Sequence, residues 1–523
     1  MPAAEAPKKI ITKKTLKDIL KVTAMNFVQL AVSILTGFIV PKILEVEDYG
    51  LFQTQALYAM YVGIIFLGFM DGIILRYSGR NYDDLNKPRI GLYYRLGFYW
   101  NTFVAAVLAV VSLTLLQGNV RWIAFLLALT IFLENANTHL GSLATMTQRF
   151  SLSTRIGMTA SGVKFVAIMT LAILYYTKAV STIPFYLYVL VAFVPTVVSL
   201  VCYVVAFRDL LFARGAKISD EKKNIWELVK TGLPLLISNF LILLILECDR
   251  QFVQLTFSTT IYAVYAFAYS MLRLLSVFVT SISSVLFPTL KSNDPKTVED
   301  NYRKLIGMLL VVLGILSLAY YPVCLIVRWW LPKYVDSLPI FRVVIAAFCS
   351  YSLVAVIVQN VYKARMKNAL FMLMSAFILA LGIGLNFAAY FLFGTTYSIS
   401  FATLITVFVW LLITSIPLSV QFKANDWKNY VFLVGFIGAY VGTYFLPWLW
   451  LDFIVMVVAL ALLIVVLLRG EVADVVRSVL RKLKKAPAKT GESSCKEATG
   501  DAAPGPEAHA QDEAVLLERQ SDE

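Results

Sequence analysis

Apolar stretches of about 20 residues, each long enough to cross a hydrocarbon core roughly 30 Å thick as a helix, follow one another along this chain from Lys21 to Leu468. Fourteen such segments run over 18–41, 51–75, 91–116, 120–143, 156–177, 183–207, 231–256, 261–287, 304–327, 337–361, 368–393, 397–420, 429–447 and 450–469. With 59% hydrophobic residues, 15% charged and a mean hydropathy of +0.76, the sequence lies outside the soluble classes. Lipid offers backbone groups no partners, so each segment must satisfy its own. The expected fold class is all-α: a polytopic membrane protein of about 14 transmembrane helices.

The positive charges test that reading, because cytoplasmic loops of membrane proteins carry the Lys/Arg excess. With the N-terminus placed in the cytoplasm, the inside segments before the C-terminal tail hold 28 Lys and Arg, whereas the alternate loops hold only Lys42, Arg121, Lys178, Arg328 and Lys333. Both termini are therefore expected in the cytoplasm. The net charge of +14 reads as topology, not as a nucleic-acid footprint, since no basic stripe interleaves with aromatics on a soluble domain. The basic start MPAAEAPKKIITKKTLKDILK leads into a full-length span without a small-residue cleavage site, so the first helix is expected to remain as an anchor. Cys202, Cys248, Cys324, Cys349 and Cys495 form no CxxC pair, and the histidines are only His139 and His509, which argues against a disulfide framework or a metal site.

The longest inside linker, 208–230, separates a first six-helix bundle at 18–207 from a second at 231–420. Asn26-Phe27, Tyr49 and Phe52 fall on Asn239-Phe240, Tyr262 and Tyr265 at a constant offset of 213. Both copies enter from the same side, so the repeat is parallel, with its axis along the membrane normal. Residues 1–17 form a basic N-terminus, and 421–469 supply appended helices 13 and 14. Residues 470–486 read as an amphipathic basic helix suited to anionic lipid, and 487–523 as a disordered tail rich in Ala, Gly, Pro and acids.

Ions inside spans point to function, because lipid does not tolerate them without a cavity or a partner. Span 8 presents Tyr262, Tyr265, Tyr269, Arg273 and Ser276 at helical spacing on one face. Tyr rings offer flat faces to sugar C–H groups and hydroxyls to sugar oxygens, while the Arg fork suits phosphate. The alternative is that the tyrosines pack against neighbouring helices. On span 7, Glu247 and Arg250 stand three residues apart and can pair locally; either they fix helix packing, or Glu247 or Asp249 titrates or binds a cation while Arg250 holds an anionic group. Asp71, Glu134, Lys164 and Arg342 are isolated within or at the end of apolar spans, where interhelical pairing accounts for any of them equally well. No Walker loop, nucleophile elbow or HExxH helix is present, so transport is expected, not catalysis.

Several landmarks, in this order and spacing, resemble the polysaccharide-repeat-unit flippases, the Wzx-type branch of the multidrug/oligosaccharidyl-lipid/polysaccharide exporter superfamily. They are PKILEVEDYGLFQ, LGFMDGIILRY, TGLPLLISNF, CDRQFVQLTFSTTIYAVYAFAYSM, LFPTL and GTTYSISFATLITVF. The Asp-Arg pair of that family pattern falls on Asp249 and Arg250; Ala263 stands where a Gly is usual. The resemblance implies two six-helix bundles forming a V around a central cavity that opens alternately to each side. It also implies a polyprenyl-pyrophosphate-linked oligosaccharide moved across a bacterial cytoplasmic membrane.

On this reading Arg250, Arg273, Arg342 and Lys164 are candidates to hold the pyrophosphate, with Tyr262, Tyr265 and Tyr269 along the glycan. Glu247, Asp249, Glu134 and Asp71 are candidates for sensing a H+ or Na+ gradient. No cofactor is expected, and the expected partners are the polyprenyl-linked glycan, membrane lipid and polysaccharide-assembly proteins, with no nucleic acid. Two rival readings are an ion-coupled drug or cation antiporter of the same superfamily and a polytopic polymerase or glycosyltransferase. The second needs a larger outside loop than the longest here, near Arg328 to Ser337.

Overall fold

The computed structural model describes residues 13–180, 182–292, 295–364, 368–424 and 426–470. The first twelve residues of the basic N-terminus, nearly all of the expected amphipathic helix at 470–486 and the tail at 487–523 lie outside the described residues. Among the described residues there are eighteen α-helices and no strand. The all-α polytopic fold is what the structure shows.

The first half comprises α1 (Lys13–Ile43), α2 (Val46–Ala59), α3 (Phe69–Tyr77), α4 (Lys87–Leu115), α5 (Gly118–Met146), α6 (Phe150–Tyr176), α7 (Phe185–Ala206) and the short α8 (Arg208–Leu211). The second comprises α9 (Ile218–Thr256), α10 (Thr259–Ser292), α11 (Pro295–Ser317), α12 (Tyr320–Trp330), α13 (Ser337–Leu353), α14 (Gln359–Ala364), α15 (Asn368–Phe393) and α16 (Thr396–Gln421). Then come α17 (Trp427–Gly442) and α18 (Leu449–Leu467). By length and composition, 11 helices among the described residues can cross a membrane, or 12 when a bent pair counts as one. The other two expected spans fall on shorter apolar helices, Val28–Ile43 and α17.

Expected span 2 is the bent pair. Its axis turns by 68° between Phe66 and Phe69, where Leu67 and Gly68 take φ values of 48° and 81°. Glycine adopts that left-handed conformation without the steric cost other residues carry, and here it has a second use. A Cβ on Gly68 would lie 2.4 Å from the backbone nitrogen of Leu233 in α9. One turn on, a Cβ on Gly72 would fall 2.0 Å from the carbonyl oxygen of Leu228, and one on Gly232 1.9 Å from that of Gly68. Three glycines thus let the backbones of α3 and α9 touch at the end of the molecule that carries the Lys/Arg-rich loops. Exposed or half-exposed charges flank the contact: Arg76 faces Glu227 at 3.5 Å, and Arg89 pairs with Glu221 at 2.8 Å while Tyr93 donates to the same carboxylate at 2.6 Å.

Towards the opposite end, α2 and α10 pack side by side. A Cβ on Gly50 would meet the carbonyl oxygen of Thr259 at 2.5 Å and the Cβ of Ala263 at 3.2 Å; Ala263 is the residue 213 positions after Gly50. Lys42 donates to the carbonyl of Trp330 at 2.9 Å, and Lys333 donates to the carbonyl of Leu44. Each lysine thereby caps a helix C-terminus of the other half, where backbone carbonyls lack intrahelical donors and the dipole favours a cation. In the second half, α13 is buried along nearly its whole length, packed chiefly on α16 and α10.

Candidate functional site

A connection of two residues, Phe257 and Ser258, joins α9 to α10, so the helices that carry Glu247, Asp249, Arg250 and Arg273 follow one another directly in the chain. Glu247 and Asp249 are two positions apart and therefore leave α9 in roughly opposite directions. Asp249 points into protein and is 1% exposed. Its carboxylate accepts hydrogen bonds from the hydroxyls of Tyr265 at 2.6 Å, Thr403 of α16 at 2.7 Å, and Tyr269. Hydrogen bonds to a charged acceptor are among the stronger ones a protein makes, and among the described residues Asp249 enters no salt bridge.

Arg250 leaves the helix on the side of Glu247, to which its Nη1 donates. Its guanidinium also lies 5.4 Å from the centre of the Tyr269 ring. The pair is buried, at 1% exposure for Arg250 against 12% for Glu247. Nε and Nη2 of Arg250 are buried and make no hydrogen bond. An arginine with the N–H groups of two nitrogens unspent away from water is costly unless something uses them.

Arg273, one turn beyond Tyr269, behaves differently. It is exposed, yet what it faces is a cavity of about 290 Å³ lined by Phe52, Gln55, Glu134 and Phe193 among others, all from the first half. Its Nη2 lies 3.8 Å from the sulfur of Met60. Among the described residues no carboxylate comes within salt-bridge distance of it. Glu134, on α5, is the acid of the cavity wall. It interacts electrostatically with the half-buried Lys164 of α6, without a salt bridge between them.

The expected stripe on α10 therefore divides. Tyr262, Tyr265 and Tyr269 are 1%, 0% and 8% exposed and spend their hydroxyls on protein, Tyr262 donating to the carbonyl of Gln53 at 3.3 Å. None of the three lines the cavity; only Arg273 of that face reaches it. Asp71 sits half-buried in the first turn of α3, beyond the bend and outside the cavity wall.

Arg342 needs a correction as a headgroup ligand. Its Nη1 and Nη2 grip Asp452 of α18 at 2.5 and 2.9 Å, Nη2 also donates to Thr443, and Nε donates to the carbonyl of Tyr440. Rings of Tyr320, Tyr440 and Tyr444 surround the guanidinium at 5.0 to 5.6 Å. With four of five donors engaged, Arg342 fastens the appended helices to α13. Asp452 was open to discovery by the same rule as the other ions, an acid inside an apolar span. Thr403 was not, since a hydroxyl in a membrane helix usually bonds its own backbone.

A family model described as "Polysaccharide biosynthesis protein" matches residues 15–293. Among solved structures, "Lipid II flippase MurJ, inward closed conformation" is similar at a TM-score of 0.55 and 11% identity, over 86% of this chain and 98% of that one. A multidrug resistance transporter of the MATE family, of the MOP superfamily, in an inward-facing conformation, is similar at a TM-score of 0.55 and 12% identity, over 78% of this chain and 98% of that one. No curated protein matches the sequence. The chain belongs to the polysaccharide biosynthesis protein family, as its motifs led us to expect.

Proposed function

We propose that this protein is a flippase that carries a polyprenyl-pyrophosphate-linked oligosaccharide across a bacterial cytoplasmic membrane by alternating access, for surface polysaccharide assembly. The observation that carries the reading is Arg273: an exposed guanidinium, with no carboxylate in salt-bridge reach among the described residues, at the wall of a cavity otherwise lined by the first half. A cation so placed suits an anionic headgroup, and Phe52, Phe193 and Gln55 beside it offer apolar faces and an amide to a glycan. Arg250, with the N–H groups of two nitrogens unspent, supplies a second cation when the halves part. Family membership and the shared fold support this reading.

In this proposal the Lys/Arg-rich end is cytoplasmic, both termini lie there, and the resting arrangement described above is occluded. Asp249 with Tyr265, Tyr269 and Thr403 responds to H+ or Na+, and neutralising or occupying it alters how α9 packs on α10 and α16. Moving charge across the membrane is worth about 2.3 kcal/mol per unit charge per 100 mV, enough to bias such a cycle. The chemistry asked of the chain is binding and release, with no catalytic step.

A cation antiporter would use the caged Asp249 equally well, but it would have no use for Arg273 in the cavity. The experiment is complementation of a strain lacking this protein. Arg273→Ala is expected to abolish surface-glycan export while the protein remains at wild-type level in the membrane; full export by that variant would overturn the proposal, and Asp249-dependent dye efflux with unaltered glycan would replace it with the antiporter.

A further inference from the structure

One helix of this protein faces two environments at once. α9 is 39 residues long, about 58 Å at 1.5 Å per residue, against about 30 Å of hydrocarbon. Its apolar span begins near Thr231, so residues 218–230 continue as helix past the hydrocarbon at the basic end. Along one face stand Lys222, Trp226, Lys230, Leu233 and Ile237, at spacings of 4, 4, 3 and 4. Leu233 and Ile237 are 36% and 42% exposed, and exposed apolar residues at that depth face lipid tails. The same face carried outward brings Trp226, 67% exposed, and the exposed Lys230, Lys222 and adjoining Lys223 to the headgroup layer. Trp226 stands about 7 Å beyond Thr231, and the outer ammonium groups about 13 Å, within reach of phosphates by snorkelling. Just before the helix, Phe212 is 71% exposed beside the exposed Arg208, Arg214 and Lys217.

The opposite face is spoken for. Leu228 is 1% exposed, Gly232 abuts Gly68, and Glu221 holds Arg89 and Tyr93 of α4. The lysines on the outward side therefore have no acidic partner on the first half; among the described residues none of them enters a salt bridge.

From this arrangement we propose that Lys222, Lys223, Trp226 and Lys230 form a docking face for anionic phospholipid of the adjoining leaflet. Charge complementarity selects the occupant: clustered cations with an interfacial indole and an apolar stripe running into the bilayer match a lipid with a negative headgroup and two acyl chains. A soluble acidic protein would have no use for Leu233 and Ile237. A bound lipid presses on the outward side of the helix whose inner side closes the basic end, so headgroup composition bears on that closure. The inference goes beyond the transport reading and does not depend on what is transported.

The test uses the purified full chain in neutral detergent, titrated with phosphatidylglycerol or phosphatidylcholine, reading Tm. Phosphatidylglycerol is expected to raise Tm by several degrees and phosphatidylcholine is not; K222Q/K223Q/K230Q should keep the lipid-free Tm and lose most of the gain. Each cation near a charged surface strengthens binding about fivefold, so the triple variant should need on the order of a hundredfold more phosphatidylglycerol. Equal gains from both lipids, or an undiminished gain in the triple variant, would overturn the proposal. Should that variant fold poorly, tryptophan quenching by brominated lipid decides: the part of the signal lost in Trp226→Phe should be quenched by brominated phosphatidylglycerol, and quenching equal to that by brominated phosphatidylcholine would sink the idea.

Discussion

The guanidinium of Arg273 lies 3.8 Å from the sulfur of Met60, and the two residues are separated by the 213 positions that align the two halves of the chain. Gly50 and Ala263, which also touch, are separated by the same interval. Equivalent positions meet in this way when parallel helices pack about a two-fold axis, so α2 and α10 are matched in backbone and unlike in chemistry. One side supplies a thioether and the other a cation.

That asymmetry is open to test at Met60. Met60→Glu sets a carboxylate beside Arg273 and neutralises the cavity without touching the arginine. Glycan export in the complementation assay is expected to fall at least tenfold, close to the loss in Arg273→Ala, while Met60→Leu keeps export near wild type.

The cage around Asp249 separates charge from shape. Asp249→Asn retains the volume and an acceptor for Tyr265, Tyr269 and Thr403, so Tm should change little while export drops at least tenfold. Asp249→Ala strands the two buried hydroxyls of Tyr265 and Tyr269 at about 1–3 kcal/mol for each left unpaired, while Thr403 keeps its bond to the carbonyl of Ile399, and a lowered Tm in detergent should accompany the lost export.

Arg342 and Asp452 form a buried pair at 2% and 6% side-chain exposure. Removing one partner leaves an uncompensated charge, so Arg342→Met or Asp452→Leu alone should each destabilise by about 3–5 kcal/mol. The double variant R342M/D452L should regain much of the loss. A thermal-shift series in detergent, with full double-mutant arithmetic, checks both statements.

Gly232 tests the closure at the basic end. A Cβ there would stand 1.9 Å from the carbonyl oxygen of Gly68, backbone that has no rotamer to escape into. Gly232→Val should therefore hold α3 and α9 apart. Maleimide labelling of a cysteine introduced at Ala59, which lines the cavity, is expected to rise severalfold from the basic side.

At the other end the expected signature is a pH dependence. Burial pushes the Lys333 amine down to about 8, helped by the charge of Lys42 and opposed by Glu45. An unfolded chain holds that proton to about 10.4, so between the two values it binds more protons than the folded one, and stability rises with pH across that window. Below about pH 8 both states are protonated and the folded state carries the burden of the partly buried charge in full. Wild type minus Lys333→Met, compared by Tm from pH 7 to pH 10.5, should show the rise; a flat difference would rule out Lys333 as its source.

Burial in lipid is decided segment by segment, and for that reason the amino-acid sequence alone made the all-α membrane fold, the family and the ions on α9 and α10 legible, although two expected spans fall on shorter apolar helices and one is bent. A 3.6-residue period also says which side chains share a face. It does not say what that face meets. Tyr262, Tyr265, Tyr269 and Arg273 share a stripe, yet packing turns the tyrosines to Asp249 and Gln53 and leaves Arg273 alone at the cavity. Arg342 resembled Arg273 as an isolated ion in an apolar span until Asp452, 110 residues away, was brought beside it. The bend at Leu67 and Gly68 was equally hidden, since its reason is the backbone of α9. Local hydrophobicity fixes where helices lie in the chain, whereas the partner of a buried charge depends on contacts between distant segments, and only the tertiary structure settles those.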